Sequence, residues 1–220
     1  MWTYRIKYAK LGRIRFISHL DMMRAITRAM NRAGIPVAYS EGFNPHPKLS
    51  MGPALPLGYE SRCEFTDITL TQPLTHRDLH ERLAATMPSG LGLLGVGWVL
   101  GSSPRLSDAF SARYMIELWE ETVDNAEALI HDFLTRDVVP VERVRQDKST
   151  IVDVKQCVTN VEVAVVGGVL CLQSDISLGV RGTCNASEVA QAILKLTPDR
   201  AKCLRIVRTD IRFQKRISKR

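Results

Sequence analysis

The stretch Ser18-His-Leu-Asp-Met-Met-Arg-Ala-Ile-Thr-Arg-Ala-Met-Asn-Arg-Ala33 (SHLDMMRAITRAMNRA) decides how this chain is read. Met22, Met23, Ile26, Ala29, Met30 and Ala33 recur at helical spacing and form one apolar stripe. Arg24, Arg28 and Arg32 repeat every fourth position on the opposite side. Ser18 offers an oxygen to an orphan N–H at the helix start, and Asp21 offsets the positive end of the helix dipole. A helix apolar along one stripe has to lie on another layer. The preceding segment supplies one: Trp2–Phe16 alternates through Tyr4, Ile6, Tyr8, Ile14 and Phe16, as a strand does, with a break near Leu11-Gly12.

The same pairing of a cap residue with an acid three positions later recurs at Thr75 and Asp78, Asp124 and Glu127, and Asn185 and Glu188. It predicts helices over Ser18–Ala33, Thr75–Met87, Asp124–Arg136 and Asn185–Leu196. Extended segments are expected at Pro36–Tyr39, Cys63–Leu70, Leu93–Leu100, Tyr114–Trp119, Val138–Arg145, Val152–Val165, Val169–Ile176 and Cys203–Phe213, with a hairpin turn at Gly167-Gly168. The order strand, helix, strand, strand, helix, strand thus occurs twice, the second time with one extra strand. The expected fold is α+β, built of two tandem ferredoxin-like (βαββαβ) units with antiparallel sheets and helices on one face. Their expected bounds are 1–100 and 113–213, joined by a linker at 101–112 and followed by a basic tail at 214–220.

Bulk properties fit a globular protein. The 220 residues are 45% hydrophobic and 24% charged. Arg5, Lys7 and Lys10 interrupt the N-terminal stretch, which is unlike a secretory signal, and no apolar run approaches the length of a membrane span, so the expected location is cytoplasmic. Five cysteines, odd in number and never spaced C-x-x-C, argue for reduced structural thiols. The net charge of +7 is unevenly spread, with nine Lys/Arg against one acid in residues 200–220. Such a balance points to a polyanion, RNA foremost.

Two places concentrate candidate chemistry. Arg13 and Arg15, at alternating positions of the incoming strand, join Ser18 and His19 at the helix start and Arg24 and Arg28 along its outer face; guanidinium forks and a helix N-terminus suit phosphates. The other is Tyr39-Ser-Glu-Gly-Phe-Asn-Pro-His-Pro-Lys-Leu-Ser50, where Pro45 and Pro47 stiffen a loop, and Phe43 offers a ring beside Tyr39, Ser40, Asn44, His46 and Lys48. Both are expected to line a single cationic cleft. His19 and His46 are the candidates for a general base if the chain is instead a metal-independent ribonuclease. Gly90-Leu-Gly-Leu-Leu-Gly95 matches G-x-G-x-x-G in letters, but it follows a helix and precedes a strand, the reverse of a dinucleotide-binding turn. His76 and His80 share a helix face without an evident third ligand.

The segments Arg15–Arg24 (RFISHLDMMR), Arg32–Ser50 and Ala54–Gly58 (ALPLG) resemble the bacterial radical-SAM-linked domain family, a family of unknown function found fused to, or encoded beside, a radical-SAM enzyme. The resemblance is specific over residues 1 to about 70. It implies that a partner radical-SAM enzyme carries the iron-sulfur cluster and S-adenosylmethionine, that this chain binds no cofactor or metal, and that RNA or a ribosomal component is the substrate. The expected role is an RNA-binding or substrate-presenting accessory without catalytic activity of its own. The alternatives are an endoribonuclease, by a weaker architectural similarity to proteins that process CRISPR RNA, and a module that only docks protein.

Overall fold

The computed structural model describes residues 1–118, 126–145, 148–179 and 184–214. Two compact units emerge: Met1–Ala109 with the segment from Phe213 onward, and Phe110–Arg212.

The first unit begins with strand β1 (Trp2–Lys10), whose Tyr4, Ile6 and Tyr8 are buried on one face. The strand stops where sequence alternation alone would carry it on. Gly12 takes a φ of +71°, the Leu11 N–H donates to the Gly90 carbonyl at 2.9 Å, and the Gly12 N–H donates to Glu60 Oε1 at 2.8 Å. Residues Gly12–Phe16 therefore form a 3-10 turn, and Arg13 and Arg15 belong to that turn, not to a strand face. Helix α1 (His19–Arg32) follows, with Ser18 as its N-cap as the sequence predicts; Met22, Ile26, Ala29 and Met30 are its buried stripe. At its other end, Arg82 donates to the carbonyls of Ala33 and Gly34, and Arg32 Nη2 donates to Thr86 O at 2.6 Å. Arg82 thereby satisfies carbonyls that α1 itself leaves open, while Arg32 ties α1 to the segment after α2.

The strand expected at Pro36–Tyr39 is reduced to isolated bridges at Val37 and Tyr39; proline 36 has no N–H to give a ladder. The ladder strand is instead β2 (Leu49–Met51), beyond the loop. Strand β3 (Glu60–Leu70), helix α2 (His76–Ala84), capped by Thr75, and strand β4 (Leu91–Trp98) complete the unit. β1 pairs antiparallel with both β3 and β4, and β2 pairs antiparallel with β3, giving the order β4-β1-β3-β2. α1 and α2 place Ile26, Met30, Leu79 and Leu83 in one cluster with Tyr4, Ile6, Tyr8, Ile68 and Leu70. The buried Tyr4 hydroxyl is satisfied twice, donating to Leu74 O at 2.7 Å and accepting from Leu74 N at 2.8 Å.

In the second unit, β5 (Ala109–Glu117) starts inside the stretch expected to be linker. Helix α3 (Ala126–Thr135) lies where predicted, though its expected cap, Asp124, falls outside the described residues. The extra strand proves to be a hairpin, β6 (Pro140–Arg145) with β7 (Lys148–Asp153), which forms its own two-stranded sheet. The single strand expected over Val152–Val165 is thus divided, and its second part belongs to β8 (Val158–Val166). β8 and β9 (Val169–Ser177) turn at Gly167-Gly168, both at positive φ as a two-residue hairpin requires. Helix α4 (Ala186–Leu194) has the Asn185/Glu188 capping box. The expected strand from Cys203 is preceded by an unforeseen helix α5 (Pro198–Cys203), started by Thr197 and Pro198, and begins only at β10 (Ile206–Phe213). Within this unit the strand order is β10-β5-β9-β8. Arg143 of the hairpin is clamped to Glu188 by two 2.6 Å hydrogen bonds.

Each unit carries one fork between its middle strands. Arg5 and Asp67, register partners on β1 and β3, share hydrogen bonds of 2.7 and 2.9 Å; Arg113 and Asp175, partners on β5 and β9, share bonds of the same lengths. In both cases 62 residues separate arginine from aspartate.

The Arg113 fork holds the Asp175 carboxyl below the usual carboxylate range, against the opposing effect of burial, and Arg212 adds to it from 3.0 Å. A depressed folded value contributes stability above the unfolded pKa, about 3.9, and loses it as pH falls through the folded one. Because Arg113 is 34% exposed and partly screened, Asp175→Asn is expected to cost only about 1–3 kcal/mol at neutral pH. Its deficit relative to the natural chain should shrink below about pH 4, measured by urea unfolding across a pH series.

Candidate functional site

The sequence candidates fall at two ends of the first unit. Lys48 O accepts from Thr69 N at 3.0 Å, and Thr69 is the register partner of Thr3, so the loop after Tyr39 lies at the start of β1. Arg13, Arg15, Ser18 and His19 follow Lys10, at its finish. Seven residues of strand place these levels about 23 Å apart. The Tyr39 hydroxyl meets Asn31 Oδ1 at 3.5 Å, in the last turn of α1, whereas Ser18 and His19 begin that helix. The expected single cleft is therefore not formed, and His19 and His46 do not share one reaction site.

At the loop end, the stem is closed by Ser40 N donating to His46 O at 2.8 Å and His46 N donating to Ser40 Oγ at 2.9 Å. Lys48 N donates to Ala38 O at 2.7 Å. Gly42, at φ +119°, turns the tip through a region that side chains disfavour. The result is a rigid stem bearing a fully exposed Phe43, with exposed Asn44 and His46 beside it. Burial would normally claim a phenylalanine, so an aromatic held wholly in solvent by a braced loop is available for stacking.

At the other end, Ser18 is committed to capping. Its hydroxyl accepts from Asp21 N at 3.1 Å and donates to Asp21 Oδ2 at 2.7 Å. Thr75 and Asp78 repeat those distances on α2, so nothing about Ser18 calls for chemistry. Hydrogen bonds from Ser18 and then Arg24 hold the Asp21 carboxyl below the usual carboxylate range. Arg24 is thus shared with Asp21 at 3.0 Å while Arg28 stands exposed on the same helix face, with Arg13 exposed in the turn. The Arg15 guanidinium stacks over the exposed Phe16 ring at 4.8 Å. His76, one of the pair weighed as metal ligands, instead packs against the rings of Tyr4 and Trp98. Among the described residues, no cluster of three or more His, Cys, Asp or Glu is placed to hold a metal ion.

Sequence reasoning missed a buried ionic cluster beneath this end. Lys10, Glu60 and Glu64 are only 3%, 4% and 7% exposed. Lys10 Nζ donates to Ile17 O at 3.1 Å, Glu60 accepts from Gly12 N, and Arg15 Nη1 lies 3.8 Å from Glu60. The contacts of Lys10, Glu60 and Arg15 fix the crossover from β1 to α1 and hence the direction in which Arg13, Arg15 and His19 are presented. The signal was present: Lys10 shares strand parity with Tyr4, Ile6 and Tyr8, and Glu60 and Glu64 share parity with Ile68 and Leu70. Buried charges at core-facing positions mark a polar end to an otherwise apolar layer.

The geometry defines an α+β protein whose first unit carries a cationic helix between a polar turn and an aromatic-tipped loop. The chain belongs to the family described as "Uncharacterized protein conserved in bacteria (DUF2344)", whose profile matches residues 3–192. Among solved structures it is similar to one described as "Crystal Structure of an Unknown Protein from Galdieria sulphuraria", at 11% identity and a TM-score of 0.29 over 97% of this chain and 98% of that one. No curated protein matches it. Among the described residues, no helix is long and apolar enough to cross a membrane.

Glu60→Ala removes the buried carboxylate that accepts from Gly12 N–H and faces Arg15, and is expected to destabilise the chain by about 1–3 kcal/mol in denaturant titration. Glu60→Gln, which keeps an acceptor, should recover part of that loss.

Proposed function

We propose that the chain is a non-catalytic, RNA-binding accessory that presents its substrate to a partner radical-SAM enzyme. The observation that carries the RNA reading is the fully exposed Phe43 on its stapled loop, joined to the polar turn by the exposed Arg24 and Arg28 of α1. Single-stranded RNA is held by this combination of stacking platform and cationic track. The separation of the ends suits an extended strand of roughly four or more nucleotides, with its phosphates on Arg28, Arg24, Arg13 and Arg15 and a base on Phe43. Ser40 braces the loop, and Tyr39, Asn44, His46 and Lys48 surround that base. His19 adds a polar group beside the turn. The partner enzyme is inferred from the resemblance of Arg15–Arg24, Arg32–Ser50 and Ala54–Gly58 to the radical-SAM-linked domains, and it would supply the iron-sulfur cluster and S-adenosylmethionine. We further propose that both units are ferredoxin-like and descend from one duplicated unit. The matching strand orders and the repeated Arg–Asp fork support that descent.

Filter binding of a labelled single-stranded RNA across a salt series tests the RNA reading. Affinity is expected to fall steeply with salt, Phe43→Ala to weaken binding by about 1–3 kcal/mol at every salt concentration, and Arg28→Ala to lower the salt slope by about one. No binding at low salt, or a Phe43→Ala chain that binds as well as the natural one, removes it.

A further inference from the structure

Phe43 is not the only phenylalanine that the first unit holds in water. Phe16 ends the turn between β1 and α1 and is 59% exposed. A stack built outward from the buried ionic cluster fixes it there. Arg15 Nη1 lies 3.8 Å from the buried Glu60 carboxylate, and the Arg15 guanidinium covers the Phe16 ring at 4.8 Å from its centre. The segment before β3 braces the same ring from its edge. Gly58, at φ +85°, donates its N–H to Arg15 O at 3.0 Å, and a Cβ there would stand 3.8 Å from Phe16 Cε1. Tyr59 N closes that turn on Pro56 O at 3.2 Å. Carboxylate, guanidinium and ring thus follow one another from core to surface, and the ring ends the stack in solvent.

The surroundings of the ring say what suits it. Arg13 is exposed in the same turn, His19 at the start of α1, and Arg62 two residues beyond Glu60 on β3. Cations on this side favour a polyanion and repel a basic surface. Leu57, next to Gly58, is 64% exposed and adds an apolar edge beside the ring. Among polyanions, a single-stranded nucleic acid carries flat rings at regular spacing between its charges.

We propose that Phe16 is a second base-stacking platform, so that one RNA strand lays one base on Phe43 at the loop end and another on Phe16 at the turn end. This inference rests on the RNA reading and adds a second fixed contact to it. Because Glu60 and Arg15 hold the ring before RNA arrives, little side-chain freedom is lost on binding. Two platforms at opposite ends of the unit act as a ruler. A short strand reaches one of them, whereas a strand that spans the unit gains its second base contact intramolecularly.

Filter binding of labelled oligouridylates, from roughly two to sixteen nucleotides, tests it. With strands that span both ends, Phe16→Ala is expected to weaken binding about fivefold or more, while Phe16→Tyr, which keeps a ring, retains most of the affinity. With the shortest strands, which stack on either ring, Phe16→Ala should cost about twofold at most. Photocrosslinking of the natural chain to a spanning strand substituted with 5-iodouridine gives a readout that needs no variant: crosslinked peptides should contain Phe16 as well as Phe43. A Phe16→Ala chain that binds spanning strands as well as the natural one, a loss equal at every length, or crosslinks confined to Phe43 overturns the second platform and leaves the RNA reading in place. A natural chain that binds no RNA at low salt removes both.

Discussion

The first unit depends on β1 being stopped at Leu11–Gly12. Two backbone donors do this, Leu11 to the carbonyl of Gly90 and Gly12 to the carboxylate of Glu60. They tie the end of β1 to the segment entering β4 and to the first residue of β3, the strands on either side. Once β1 is anchored there, the chain can only leave the sheet through the tight turn that follows, and α1 returns over the apolar face. The burial of Met22, Ile26 and Met30 against Tyr4, Ile6 and Ile68 then supplies the bulk of the energy. The carboxylate sets direction more than it adds stability, because a buried charge roughly offsets its own desolvation cost.

The two units solve one packing problem with different surfaces. Both place a fork between their middle strands, and in both an arginine reaches across to an aspartate 62 residues later. Their first helices diverge. α1 exposes Arg24 and Arg28, whereas the outward charges of α3 include Glu127 and Asp132, the latter engaged by Arg136 and Lys195. Where the first unit has its Phe43 loop, the second has the β6–β7 hairpin, held to α4 by Arg143 and Glu188. The exposed arginines of α1 and the wholly exposed Phe43 are features of the first unit, whereas at the corresponding places the second unit has a helix whose exposed charge is largely acidic and a hairpin tied down by an ion pair.

Helices and their starts were legible because capping is local chemistry: Ser18, Thr75 and Asn185 each sit within four residues of every group they satisfy. The strands were less so. Alternation located β1 and β9, but it continued through Arg13 and Arg15 because the partners that end β1, Glu60 and Gly90, are far away in sequence. It also fused β7 with β8, since a turn closed by Asp153, accepting from the N–H groups of Val139 and Lys155, leaves no proline or glycine to read. The site divides the same way. Each residue proposed from the loop or the helix lies in the element expected of it, yet the assembly into one cleft failed, because the level at which the loop meets the sheet is set by the β2–β3 register and not by proximity in sequence.

That separation narrows the kind of ligand the first unit suits. A compact anion would gain from arginines converging on one point, and here Arg24 is half neutralised by Asp21 while Arg32 is spent on the Thr86 carbonyl. What remains is Arg28 with the shared Arg24 on a 14-residue helix of about 20 Å, with the fully exposed Phe43 beyond its last turn. Weak contacts in series reward a long polyanion and penalise a short one, since each added phosphate joins a molecule already held and its cost in lost translational freedom is met once. If the surface binds RNA as proposed, affinity would rise with ligand length until the strand spans from turn to loop and level off beyond it.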